Sequence, residues 1–213
     1  QFLFCLDAAS EKPLWRNGVG EVRNASLALA HGQLFFLESQ PRSEERQAAE
    51  VAVLPMLPAD PKPNVPLPSQ PYYPSSKTAA DIRTVVALDA ATGETLWRRP
   101  LDLTGMGKGL TLCVSQGIVL VAANLDATRF VALAAEDGTP IWTKRTFYFR
   151  RPVIIGDTIY TLPYGHHLKT GALKMRTNPV TGTLTPFVWT KAYGCGGMSA
   201  SSHTLFFRSG SLA

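Results

Sequence analysis

VVALDAATGETLW, from Val85 to Trp97, is the stretch whose reading decides the fold. Its apolar start does not alternate with polar residues, so it reads as a strand buried on both faces. Asp89 follows, then Thr92-Gly93, then Trp97. Thr-Gly reads as a hairpin turn, with Gly93 supplying the positive φ that other residues resist. Asp89 is placed to accept hydrogen bonds from turn amides, as Asx turns do. Trp97 falls on the return strand, where a large ring can be buried against a neighbour while its N–H finds a carbonyl.

The same unit recurs. Leu133–Trp142 (LAAEDGTPIW) matches Leu88–Trp97 without gaps at its leucine, alanine, glycine, aliphatic and tryptophan positions, and Ala134 replaces the aspartate. The N-terminus gives Leu6-Asp7-Ala8-Ala9-Ser10 and then Leu14-Trp15, with Lys12 read at the place of the turn glycine. A degenerate copy runs from His167 through Gly171 to Leu173, with His167 for the aspartate and Met175 for the tryptophan. Trp97 to Trp142 is 45 residues, the span of one four-stranded propeller blade (about 40–45 residues). Trp15 to Trp97 is 82 residues, and the surplus falls in a Pro-rich insertion at 39–81.

The expected fold is therefore all-β, a β-propeller of four-stranded blades forming an incomplete arc of a ring of seven or eight. The expected organisation is a half-blade at 1–17, a blade at 26–99 carrying the insertion, a blade at 109–145, a blade at 151–176 and a half-blade at 197–210. Pairing of the two half-blades into a four-bladed ring is the alternative. The opening QFLFCLDAAS reads as a strand entered midway, so the segment is expected to start inside a larger protein.

Composition agrees with a folded β protein. Of the 213 residues, 45% are hydrophobic and 17% charged, with 17 Gly and 16 Pro. The net charge of +5 comes without a basic stripe: Arg98-Arg99, Lys144-Arg145 and Arg150-Arg151 are isolated pairs, which argues against nucleic acid as a partner. No apolar run approaches the ~20 residues of a membrane span.

At these residues the sequence resembles the quinoprotein-type (PQQ-like) β-propeller repeat, roughly Ala-x-Asp-x-x-Thr-Gly-x-x-x-Trp. Ala87, Asp89, Thr92, Gly93 and Trp97 fit in full; Ala132, Gly138 and Trp142 fit in part; Asp7, Trp15 and Gly171 are the remaining repeat positions. The tail from Lys169 to Gly210 resembles large bacterial propellers of planctomycete type. In that subgroup the cysteine of YGCG stands beside others further downstream, so Cys195 is a disulfide candidate by this resemblance. The family includes pyrroloquinoline-quinone dehydrogenases, an outer-membrane assembly lipoprotein and many secreted propellers. It implies a periplasmic or extracellular protein of one of two kinds. One is a non-catalytic binding or scaffold module. The other is part of a quinone-dependent alcohol or sugar dehydrogenase, with pyrroloquinoline quinone and calcium. The dehydrogenases resemble one another in a vicinal cysteine pair, and no two cysteines are adjacent among Cys5, Cys113 and Cys195.

Other candidate sites are weaker. His166-His167 offers metal-ligand chemistry but no third ligand nearby in sequence, and reads as a turn-side pair. His31 and His203 sit at turns. GMGKG (105–109) lacks P-loop spacing, and GGMSASS lacks the glycine that closes a nucleophile elbow. Asn24-Ala25-Ser26 is a sequon by pattern alone. Within the insertion, residues 55–74 carry two PxxP spacings, Pro63-Pro66 and Pro68-Pro71. They read as a long extended rim loop pinned by Tyr72 and Tyr73, or as a polyproline II ligand for a partner.

Overall fold

The structure is a computed structural model. It describes residues 2–22, 26–51, 54–60, 80–106, 108–125, 127–148, 151–161, 164–187 and 198–206. Strands β1 (Phe2–Leu6) and β2 (Pro13–Gly18) form an antiparallel hairpin. Strands β3 (Ala28–Ala30) and β4 (Gln33–Glu38) open the next sheet. The chain then leaves it through helix α1 (Ser43–Val51) and a short strand β5 (Met56–Leu57). It returns as β6 (Ile82–Asp89) and β7 (Thr95–Asp102), completing the order β3-β4-β6-β7. Strands β8 (Lys108–Ser115), β9 (Ile118–Leu125), β10 (Ala127–Ala134) and β11 (Pro140–Tyr148) make a second antiparallel meander. A three-stranded sheet follows, β12 (Val153–Ile155), β13 (Thr158–Tyr160) and β14 (Gly165–His167). Two hairpins complete the described chain: β15 (Met175–Thr177) with β16 (Leu184–Pro186), and β17 (Ser199–Ala200) with β18 (Leu205–Phe206). The fold is an array of β-propeller blades, and among the described residues its sheets do not close on themselves.

The uninterrupted apolar runs are explained by what the sheets face. In β6, Val86 and Leu88 join Phe36 against Leu3 and Trp15 of the preceding hairpin. Val85 and Ala87, on the other face, pack with Val119, Val121, Val131 and Leu133 of the following sheet. That sheet in turn presents Leu120, Ala122, Phe130 and Ala132 to Ile159 and Leu168. Each middle sheet therefore has no wet face, and period-two alternation disappears from its sequence.

Tight turns set the register. His31-Gly32 and Gln116-Gly117 both hold positive φ (50° and 73°, 48° and 73°). Such two-residue turns match the twist of a hairpin. The described part of the insertion carries regular structure, and of residues 55–74, read as an extended loop, 61–74 lie outside the described residues. Ser43–Val51 is helical, and β5 adds itself in parallel to β11 as a fifth strand of the neighbouring sheet. Tyr72, Tyr73 and both PxxP spacings lie outside the described residues, as does Cys195. Cys5 and Cys113 are free thiols.

Candidate functional site

The repeat unit builds one device several times over. At Asp89, the backbone N–H donates to Glu94 O (2.9 Å) and Gly93 N–H returns to Asp89 O (2.9 Å), closing a four-residue loop whose last position is left-handed. Asp89 Oδ1 accepts the Ala91 and Thr92 amides, both at 2.9 Å. Those amides hold the Asp89 carboxyl below the usual carboxylate range. Thr92 Oγ1 accepts the Glu94 amide at 3.2 Å, so the threonine of the motif also serves the turn.

The same loop closes at Asp7, Ala134 and His167. It closes once more at Asn178, where Gly182 N–H donates to Asn178 O (2.9 Å). That copy, Asn178-Pro179-Val180-Thr181-Gly182, was not recognised in the sequence, although its Thr-Gly pair was available as a signal. In the N-terminal copy the glycine position belongs to Glu11 and not to Lys12. Glu11 N–H donates to Asp7 O (2.8 Å), and Glu11 takes the left-handed φ of 58° itself.

Each tryptophan docks on the next copy's loop. Trp15 Nε1 donates to Ala90 O (2.9 Å), Trp97 Nε1 to Ala135 O (2.9 Å) and Trp142 Nε1 to Leu168 O (3.1 Å). Each ring lies over the loop glycine. A Cβ at Gly93, Gly138 or Gly171 would stand 2.5, 2.6 or 3.0 Å from the facing indole. The glycine is thus required twice, for its φ and for the ring above it. On the tryptophan's own sheet, Cys5, Ala87 and Ala132 are its cross-strand partners. Their small side chains leave room for the indole, which explains the alanine of the motif and gives Cys5 the same role.

A second donor, two residues after each tryptophan, was missed in the sequence. Asn17 Nδ2 donates to Gly93 O (2.7 Å), Arg99 Nε to Gly138 O (2.9 Å) and Lys144 Nζ to Gly171 O (2.9 Å). The peptide that receives the tryptophan is anchored on its far side too: the Ala90, Ala135 and Leu168 amides donate to Gly32, Gly117 and Asp157 carbonyls. These amides and carbonyls of the joint are paired, as buried backbone groups require.

The insertion straps across these joints. Arg98 of β7 is held by Glu38 of β4 and by Glu45 of α1 (Nε to Oε1, 2.6 Å), which fixes the helix to the outer strand. Further on, Thr143 N–H donates to Pro55 O (2.6 Å) and Asp60 N–H to Arg145 O (3.4 Å). Leu57 packs beside the third joint, where its Cδ1 would meet a Cβ on Gly171 at 2.7 Å. Asp60 enters a closed polar pocket: Oδ1 is 2.6 Å from Lys144 Nζ and Oδ2 is 2.7 Å from His166 Nε2. Their side chains are 4%, 8% and 0% exposed. Burial works to raise the Asp60 pKa, but the His166 and Lys144 hydrogen bonds outweigh it and keep the carboxyl below its usual range.

His166 and His167 therefore have different roles. His166 faces inward, edge-on to Phe130 (centroids 5.6 Å apart), with Nδ1 buried and unpartnered. His167 faces out towards Asp157 (3.3 Å). Burial raises the pKa of the Cys113 thiol, whose Sγ lies 3.6 Å from Pro152 O. Among the described residues, no three of His, Cys, Asp or Glu converge to hold a metal. The aspartates of the repeat, Asp7, Asp89 and Asp137, each bind their own turn.

The family model described as outer membrane protein assembly factor BamB matches residues 82–174. No curated protein matches the chain. Among solved structures, BamB from Moraxella catarrhalis is 17% identical, with a TM-score of 0.39, over 63% of this chain and 41% of that one. A europium-containing methanol dehydrogenase is 14% identical, with a TM-score of 0.48, over 88% of this chain and 43% of that one. The chain thus spans less than half the length of either structure.

Proposed function

We propose that the chain, whose residues 82–174 match a PQQ-like β-propeller repeat model, is a non-catalytic binding or scaffold module of a larger extracytoplasmic protein. The observation that carries this reading is where the repeat's polar atoms go. Asp89 and Thr92 hold their own turn in shape, and the tryptophan N–H groups and the donors two residues after them tie each loop to the neighbouring sheet. A fold does not bring an activity with it, and this motif is occupied with blade-to-blade contact. The description of the matching family as an assembly factor supports a role among protein partners. The described part of the insertion, which packs its helix on β7 and pairs β5 with β11, is the natural presenting element.

The competing reading is a quinone-dependent dehydrogenase. It would require residues that converge on calcium and quinone, and among the described residues no three of His, Cys, Asp or Glu do so. The test is dye reduction by the full-length protein with calcium, pyrroloquinoline quinone and a panel of alcohols and sugars. The scaffold reading expects no turnover and no quinone retained on purification. Substrate-dependent reduction that chelation abolishes overturns it. Placement outside the cytoplasm is checked by fractionating cells that express the native gene.

A further inference from the structure

Resting on the scaffold reading, we infer that the outer edge of β11, together with the Lys144–His166 pocket, is a binding groove for an extended acidic peptide of a partner protein, and that residues 54–60 occupy it in cis. The occupant defines the chemistry. Leu57 fills an apolar slot beside Trp142, Leu168 and Gly171. Three residues later, Asp60 places its carboxylate between Lys144 Nζ and His166 Nε2, both deeply buried. An aliphatic residue followed at the third position by aspartate is therefore what the groove reads, with the backbone paired in parallel to β11.

The cis segment uses this edge sparingly. It pairs with Thr143 and Lys144 and reaches Arg145 O through the Asp60 amide, three of the nine residues of β11. Pro55, Met56, Pro58 and Ala59 are exposed, and Met56 keeps 52% of its surface in water. Among the described residues, nothing else pairs with the outer edge of β11. An open strand edge is a template for a further strand, with backbone bonds giving affinity and side-chain pockets giving selectivity. A partner segment pairing along more of β11 makes every contact of the cis segment and adds backbone bonds to it. Exposed Arg145, beside the pocket, adds positive charge at the same end. The groove also straddles the third joint: Lys144 supports the Gly171 carbonyl and the Asp60 carboxylate at once. Occupancy is thereby linked to the contact between two sheets.

The test uses the full chain with Leu57→Ser and Asp60→Asn, which removes both anchors of its own segment. The probe is a fluorescent peptide with the sequence of residues 54–60, LPMLPAD, followed by anisotropy. The expected result is saturable binding, at least tenfold weaker when the peptide's aspartate is replaced by asparagine, and lost when Lys144→Met is added. Absence of saturable binding by a chain that retains its circular dichroism and cooperative melting overturns the inference, as does equal binding of the two peptides. Failure here, with no quinone turnover in the dye assay, removes the groove and leaves the scaffold reading standing. If the double variant does not fold, hydrogen exchange on the unaltered protein decides. The Thr143 amide, which donates to Pro55 O, is expected to exchange at least a hundredfold faster than that of Val121 inside the same sheet. Equal protection of the two amides shows a segment that never leaves and overturns the inference.

Discussion

Replacing Gly138 by alanine separates the two demands the joint makes on its glycine. Gly138 has φ of +71°, and an added Cβ would lie 2.6 Å from Trp97 Cε3 and 2.8 Å from Cζ3. Gly117 has φ of +73° with nothing within 4 Å of an added Cβ. Both substitutions force an alanine into the left-handed region, at about 1–2 kcal/mol. Only Gly138→Ala also overpacks a rigid ring, which adds about 1–3 kcal/mol. Pushing the indole aside further strains the Trp97–Ala135 hydrogen bond, worth about 1 kcal/mol. Gly138→Ala is thus expected to cost about 3–6 kcal/mol and Gly117→Ala about 1–2 kcal/mol. Urea titration followed by circular dichroism measures this, with midpoints compared at unchanged slope. Equal destabilisation by the two substitutions refutes the reasoning, because it leaves no cost to the ring contact.

Four further outcomes follow from the same geometry. Glu11→Gly relieves a left-handed glutamate and is expected to stabilise by about 0.5–1 kcal/mol after the entropy of glycine is subtracted; a lowered midpoint contradicts this. Arg98→Met strands the buried Glu38 carboxylate and releases Glu45 of α1, at a cost of about 3 kcal/mol, read from the same urea titration. Trp142→Phe removes the N–H that meets Leu168 O, and a loss of about 1–2 kcal/mol is expected, whereas no loss means the contact does not form. Asp60→Asn tests the pocket by pH. The carboxyl's pKa is lowered in the folded state, so its stabilisation is complete above the ordinary aspartate value of about 3.9 and drains away as pH falls through the folded value. The melting temperatures of the native chain and Asp60→Asn should differ most from pH 5 to 7 and converge below about pH 4. A gap that widens on acidification reverses the sign and rejects the pairing.

What the sequence made legible was what repeats chemically. A doubly buried strand, a tight turn and, in three copies, a tryptophan recur at fixed offsets, so VVALDAATGETLW could be set against its relatives. The donors beside the joint were invisible for the opposite reason. Asn17, Arg99 and Lys144 share a role and no chemistry beyond a long side chain with an N–H. The fifth loop, at Asn178, was obscured because its strand ends in Pro186 where a tryptophan would stand. Helix α1 had a readable start, since Glu44 and Glu45 lie in its first turn and Glu45 Oε2 accepts the Arg42 amide at 2.8 Å. The surrounding prolines hid it. Asp60 and His166 are 106 residues apart, and no local pattern announces a pairing that only the stacking of sheets creates.

The repeat unit works as a joint between sheets, tryptophan against loop glycine. A double-mutant cycle on Trp97 and Gly138 tests it most directly. Phenylalanine at 97 lacks the benzo ring atoms that an alanine at 138 would strike. In the Trp97→Phe background, Gly138→Ala is therefore predicted to cost no more than Gly117→Ala, giving a coupling of at least about 1 kcal/mol. Costs that simply add, with no coupling between the two positions, contradict the joint.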